Sequence, residues 1–265
     1  MELEDGNSAR KLGRSSFFDS RTRCQSRIFP MRFASFGGLL AFSVCLLANG
    51  CSKGITRATA ATVFFVRGNV VFGNAERNDF QQVTSKSKIH VGDIVRTSDG
   101  ASINLALIPG AFVQLSENSE IKIEELRLTK DGNETSGGML DRRAWIRLNR
   151  GRIVNLFSQS NESASEFGVT TGQVTLTPDS DCLFSTWTDG TTSRVACGRG
   201  ELSAITDAQP PMKIAAGYFA QWPTVSREPL AAIADAGAQM DIKTALDVEP
   251  ELLDQAAGRQ NRRVF

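Results

Sequence analysis

Phe167-Gly168-Val169-Thr170-Thr171-Gly172-Gln173-Val174-Thr175-Leu176 is followed by Asp181-Cys182-Leu183-Phe184 and by Val195-Ala196-Cys197-Gly198-Arg199-Gly200-Glu201-Leu202. Short apolar runs separated by Gly and Asp-Gly turns are the signature of stacked antiparallel strands. The strand-like segments between Thr62 and Trp222 flank this stretch. Gly68-Asn69-Val70-Val71, Gly92-Asp93-Ile94-Val95, Gly151-Arg152-Ile153-Val154, Gly172-Gln173-Val174-Thr175 and Gly200-Glu201-Leu202-Ser203 share one form: Gly, a polar residue, an aliphatic residue, then a small or branched one. A Gly opening a strand supplies a positive φ at a tight turn, and the alternation that follows plants the aliphatic side chain in the core. The uneven spacing of these segments excludes a solenoid repeat.

Working outward, Ile103, Leu105 and Leu107 alternate with Ser102, Asn104 and Ala106. Pro109-Gly110 turns the chain before Ala111, Val113 and Leu115, then Ile121 and Ile123. The expected fold is all-β, an antiparallel, rolled, β-sandwich-like domain over residues 62–222. Lys130 to Gly138 reads as a polar, Gly-rich loop. Beyond Arg227-Glu228-Pro229 the pattern changes. Leu230 to Met240 is Ala-rich, and Ile242, Leu246, Leu252 and Leu253 fall at helical intervals with Pro250 opening a second helix. Residues 223–265 are therefore expected to form a short α-helical tail of two helices, ending in the basic segment Arg259 to Arg263.

The N-terminus reads as an address. After Met31-Arg32, Phe33 to Leu47 carries no charge and leads to Ala48-Asn49-Gly50-Cys51. A basic start, an apolar centre and small residues before a cut site describe a signal peptide. Cys51 after Gly50 resembles a bacterial lipobox, which implies lipid on Cys51, removal of residues 1–50 and a tether over 51–61. The usual Leu three residues before the Cys is Ala48 here, with Leu47 one place further out. An uncut reading stands beside this one: Phe33 to Ser52 is 20 residues without charge, behind seven Lys/Arg, and is long enough to span a bilayer.

Thirty basic residues against twenty-nine acidic ones give a net charge of +1, so the composition points to no nucleic-acid partner. Of five cysteines, only Cys182 and Cys197 lie in the body of the chain. With Asp189-Gly190 as a two-residue hairpin turn, Cys182 falls opposite Cys197 and Phe184 opposite Val195. That register brings the two thiols within reach of a structural disulfide, worth about 3 kcal/mol, or leaves them as two buried thiols in contact.

Chemistry is sparse. The one His, His90, sits beside the Gly92-Asp93 turn, and no Ser elbow, zinc spacing or phosphate loop is present in the sequence. Asp179 and Asp181 fit an acidic turn better than a cation site. No catalytic residue, metal or cofactor is expected. The best binding candidate is Asp141 to Arg152, with five arginines. As a strand it turns Ala144, Ile146 and Leu148 inward and presents Arg143, Trp145 and Arg147 on the other face, a ladder suited to cation–π contact and to phosphate or carboxylate recognition. A plain solvated face, or a Trp covered by the C-terminal helices, fits the same pattern.

Taken in order, several segments resemble the FecR domain of bacterial envelope signalling proteins. They are Val66-Arg67-Gly68-Asn69-Val70, Ile89 to Thr97, Leu107-Ile108-Pro109-Gly110, Leu148-Asn149-Arg150-Gly151-Arg152-Ile153, Phe167 to Thr171, Arg199-Gly200-Glu201-Leu202 and Ala215-Ala216-Gly217. The resemblance covers about Val63 to Gln221 and rests on turn and core positions. It implies a periplasm-facing regulatory domain. Two departures weaken the role of a membrane-spanning sigma-factor regulator: the segment before Met31 is too short for a sigma-binding domain, and Ser180-Asp181-Cys182-Leu183-Phe184 stands where Gly-Thr-x-Phe is common. The expectation is a non-catalytic envelope lipoprotein, a binding scaffold or sensor facing an envelope protein or glycan partner. The missing Asp after Cys51 favours the outer membrane. A single-pass sigma-regulator relative and a purely structural envelope protein are the alternatives.

Overall fold

The computed structural model describes residues 55–130, 139–159, 164–207, 209–223 and 226–260. The leader, Cys51 and the polar loop at 131–138 lie outside the described residues. Two sheets make up the body. Sheet A runs β4 (Gln81–Gln82), β3 (Val70–Gly73), β6 (Ile94–Thr97), β9 (Glu120–Lys130), the first part of β10 (Met139–Phe157), β11 (Ala164–Thr170), β12 (Thr175–Pro178), β15 (Glu201–Thr206) and β16 (Gln209–Ala215). β1 (Ile55–Ala58), within the stretch expected to be a tether, pairs with the far end of β9. Sheet B runs β5 (Lys88–Ile89), β2 (Ala61–Arg67), β7 (Ser102–Ile108), β8 (Ala111–Leu115), the second part of β10, β13 (Cys182–Thr188), β14 (Ser193–Arg199), β17 (Tyr218–Trp222) and β18 (Leu230–Ala231). Among the described residues β10 with β11 is the one parallel pair.

The two sheets share β10. Up to Arg150 it pairs with β9, and from Gly151 onward it lies between β8 and β13. Gly151 makes the change of sheet possible. Its φ is +88°, and a Cβ there would stand 2.3 Å from Ser119 Oγ. Any other residue would be strained and would collide. Ser119 then stitches the crossing, its Oγ accepting from Arg152 N at 2.9 Å. The positive φ expected of five strand-opening glycines is found at Gly68, Gly92, Gly151 and Gly200 and not at Gly172. There the Thr171 hydroxyl accepts from Gln173 N and Val174 N, and the Thr171 backbone N–H donates to Val174 O at 2.9 Å to close the turn.

One core lies between the sheets. Ile121, Ile123, Ile146, Val169, Leu176, Leu202 and Ile214 come from sheet A, and Val63, Ile103, Leu105, Val113, Ile153, Phe184 and Val195 from sheet B. Phe167 bridges them, 5.9 Å from the Phe157 ring and 6.3 Å from that of Phe184, centroid to centroid. Each such fully buried side chain contributes about 1.5–3 kcal/mol. The all-β expectation therefore holds, with a helical C-terminal tail.

The tail differs in detail from the sequence pattern. Leu230 and Ala231 form β18 and Ala232–Ala234 a short 3-10 turn, so a single helix, α1 (Ala236–Gln260), replaces the expected two. Asp235 caps it, Oδ1 accepting from Ala238 N at 2.7 Å. Pro250 lies inside α1 with its ring exposed. Packing against the sheet outweighs the hydrogen bond that proline removes. Ala245 and Leu252 bury against Val154, Leu156 and Leu183, while Ala238 meets Ala196, Phe219 and Ala232. α1 thus covers the part of the outer face of sheet B that carries Val154, Leu156, Leu183 and Ala196.

Candidate functional site

The candidate ladder lies where the alternation put it. Ala144, Ile146 and Leu148 are buried, and Arg143, Trp145 and Arg147 occupy the outer face of sheet A. The neighbouring strands supply their partners. Arg143 meets its register partner Glu166 at 2.6 Å. Arg147 Nε donates to Glu124 Oε1 at 2.6 Å, and Thr170 Oγ1 donates to the other oxygen of that carboxylate at 3.2 Å. Trp145 lies flat over its partner Gly168, where a Cβ would come within 2.3 Å of the ring. Both guanidinium groups are thus neutralised inside the sheet, and neither stacks on Trp145. The face is a mixed-charge surface with a half-buried Trp at its centre. It is poorly suited to capturing a free anion.

The cysteine hairpin has a different register from the one expected. Asp189-Gly190-Thr191-Thr192 is a four-residue loop, Thr188 pairs with Ser193, and Phe184 stands opposite Cys197 with a bulge at Leu183. The Asp189 carboxylate causes this. It accepts from Thr191 N, Thr191 Oγ1 and Thr192 N at 2.8, 2.8 and 2.7 Å, and these bonds hold it below the ordinary carboxylate range. Cys182 and Cys197 are both buried free thiols, and they share a hydrogen bond. That bond, with burial, pushes the Cys182 thiol far above its usual value. The nearby aspartates are structural acceptors: Asp181 receives Gln159 N at 2.7 Å, and Asp179 receives Ser203 Oγ and pairs with Lys213. His90 is an exposed turn residue whose backbone N–H donates to Asp93 Oδ2.

Sequence reading missed the polar lock beneath α1. Asp241 is 1% exposed, and its carboxylate lies 2.8 Å from Arg152 and accepts from Arg194 Nε at 2.6 Å. Arg199 pairs with Glu249, and Asn104 Nδ2 donates to Glu251 and Gln255. The signal was one acidic residue on the apolar side of a helical pattern, with Ala238, Ile242 and Ala245 around it. Its meaning needed the two arginines that the strands bring from far away in sequence.

Beside α1 the outer face of sheet B stays open as a groove of about 960 Å³. Its floor follows the row Arg67, Ser102, Ser116, Arg152 and Trp187 across neighbouring strands. Glu251 of α1 and the turns at Gly100, Glu117-Asn118 and Asp189 form its walls. Arg150, Gly151 and Arg152, where β10 leaves sheet A, are part of its lining.

Residues 93–203 match the family model described as FecR protein. The matched region contains the sheet-switching strand, the cysteine hairpin and the ladder, and the FecR resemblance of the sequence is borne out there. No curated protein matches the chain. Two crystal structures of a provisionally assigned anti-sigma factor from Parabacteroides distasonis, at 1.65 and 2.50 Å resolution, are similar to it. Each is 14% identical with a TM-score of 0.37, and the match covers 52% of this chain and 57% of that one. The chain therefore spans little more than half of those solved relatives.

Proposed function

We propose that this protein is a non-catalytic envelope lipoprotein whose FecR-type β domain acts as a binding scaffold or sensor in envelope signalling. It is anchored through lipid on Cys51, faces the periplasm and sits in the outer membrane. The observation that carries the reading is the family match at residues 93–203, on a domain whose ionisable side chains are mostly engaged with one another. Arg143, Trp145 and Arg147 contact an envelope protein. A half-buried Trp ringed by paired charges has the composition of an interface centre with a polar rim. In the oxidising compartment Cys182 and Cys197 lose two protons and two electrons to the disulfide-forming oxidant and close the hairpin covalently.

The test is intact mass and N-terminal analysis of protein extracted from its native membrane. An acylated species beginning at Cys51, about 2 Da lighter before reduction than after, supports the anchor and the disulfide. A chain still carrying Arg32 to Gly50 refutes the anchor. Site-specific crosslinking from position 145 should capture one discrete envelope protein, and Arg143→Glu/Arg147→Glu should abolish the adduct. An unchanged adduct in that variant rules the surface out.

A further inference from the structure

We propose that the groove beside α1 binds a neutral oligosaccharide. This goes beyond the scaffold reading and uses the opposite side of the domain from Trp145. Shape comes first. The row from Arg67 to Trp187 crosses from β2 to β13, four strand spacings of 4.7–4.9 Å, so the floor is about 19 Å long, and the volume is about 960 Å³. That suits several linked rings in an extended ligand.

Charge comes second. Arg67, Arg150 and Arg152 line the groove together with Glu117, Asp189 and Glu251, so neither sign is in excess. Most of these groups are already fixed. Arg152 is held by Asp241, Glu117 accepts from Gly100 N at 2.8 Å, Glu251 accepts from Asn104, and Asp189 closes its own turn. A lining of oriented donors and acceptors without net charge matches hydroxyl groups, each of which both donates and accepts. It offers little to a phosphate or a polyanion.

The aromatic side chains are the third element. Phe65, 41% exposed, and Trp187 lie at the two ends of the groove. Arg194 lies 5.6 Å from the Trp187 ring centre. Apolar ring faces next to fixed polar groups fit sugar rings, which have C–H faces and hydroxyl edges. An extended peptide fits worse, because β7, β8, β10 and β13 are each paired on both sides and leave no strand edge for it to join.

The experiment is isothermal titration of the full chain in detergent with chitotetraose, cellotetraose and maltotetraose, and with tetraglutamate as the charged control, at about 50 and 300 mM salt. The expected result is saturable binding of at least one tetrasaccharide, with affinity changing less than about twofold between the two salts. Trp187→Ala and Arg67→Ala should each weaken it about tenfold or more, and Trp145→Ala should bind like the parent. Arg67 and Phe65 are exposed, so Arg67→Ala and Phe65→Ala keep the test alive if Trp187→Ala does not fold. The proposal is overturned if none of the three sugars binds, if binding survives these substitutions, or if tetraglutamate binds more tightly in a salt-sensitive way.

Discussion

The outer faces of the two sheets are built from the same alternation and end differently. On sheet A the charged residues on the outer face of β9, β10 and β11 settle one another in cross-strand pairs such as Arg143 with Glu166 and Arg147 with Glu124. On sheet B the outward residues of β10, β13 and β14 include Val154, Leu156, Leu183 and Ala196, which cannot be left to water and are covered by α1. A face that pairs its charges locally can stay open. An apolar face with stray arginines needs a cover carrying the complementary acid, and Asp241 is that acid.

The contrast predicts where substitutions hurt. Asp241→Ala strands Arg152 and Arg194 beneath α1 and should cost about 3–5 kcal/mol in urea unfolding. A loss near zero would mean that α1 does not depend on the lock. Gly151→Ala strikes the strand common to both sheets. Its left-handed φ and the contact with Ser119 should cost about 2–4 kcal/mol, read as a lowered Tm, and a neutral result would contradict the tight crossing. On the open face, Gly168→Ala pushes the Trp145 ring off its seat for about 1–2 kcal/mol. Acrylamide quenching of tryptophan fluorescence should rise, and unaltered quenching would show that the ring does not rest there.

Glu124→Gln removes only a partly exposed pair and should change stability by less than about 1 kcal/mol. A cost comparable to that of Asp241→Ala would erase the distinction between the faces. The smallest effect concerns acid. Burial pushes the Glu120 pKa up, but hydrogen bonds from Asn149 and Arg96 and the charges of Arg96 and Arg150 more than offset this and leave it lowered. A group with a lowered folded pKa contributes stability above its unfolded pKa and loses it as pH falls through the folded one. Urea midpoints taken between about pH 5 and pH 3 should therefore fall less steeply in Glu120→Gln than in the parent, and parallel curves would remove Glu120 from the acid response.

Much of the fold could be read along the chain because it rests on local rules. The inward set Ala144, Ile146 and Leu148 and the alternation from Ser102 to Leu115 follow from strand period alone, as do the turn glycines at 68, 92, 151 and 200. The hairpin register failed at a local detail: Asp189 can organise a four-residue loop as well as open a two-residue one, and side-chain bonding decided between them. The ladder residues could be named from sequence, but their neutralisation could not, since Glu124 and Glu166 reach them only through strand pairing.

By itself the sequence determined the all-β class, the strand faces, the helical tail and the FecR resemblance, because each depends on periodicity or turn chemistry among close neighbours. Only the tertiary structure decided that β10 serves both sheets and that α1 is one helix despite Pro250. It also decided that Asp241 joins Arg152 to Arg194 and that a groove opens from Arg67 to Trp187. Each of these brings together residues far apart in the chain, and their pairing is set by how the two sheets cross and pack, which no local pattern encodes.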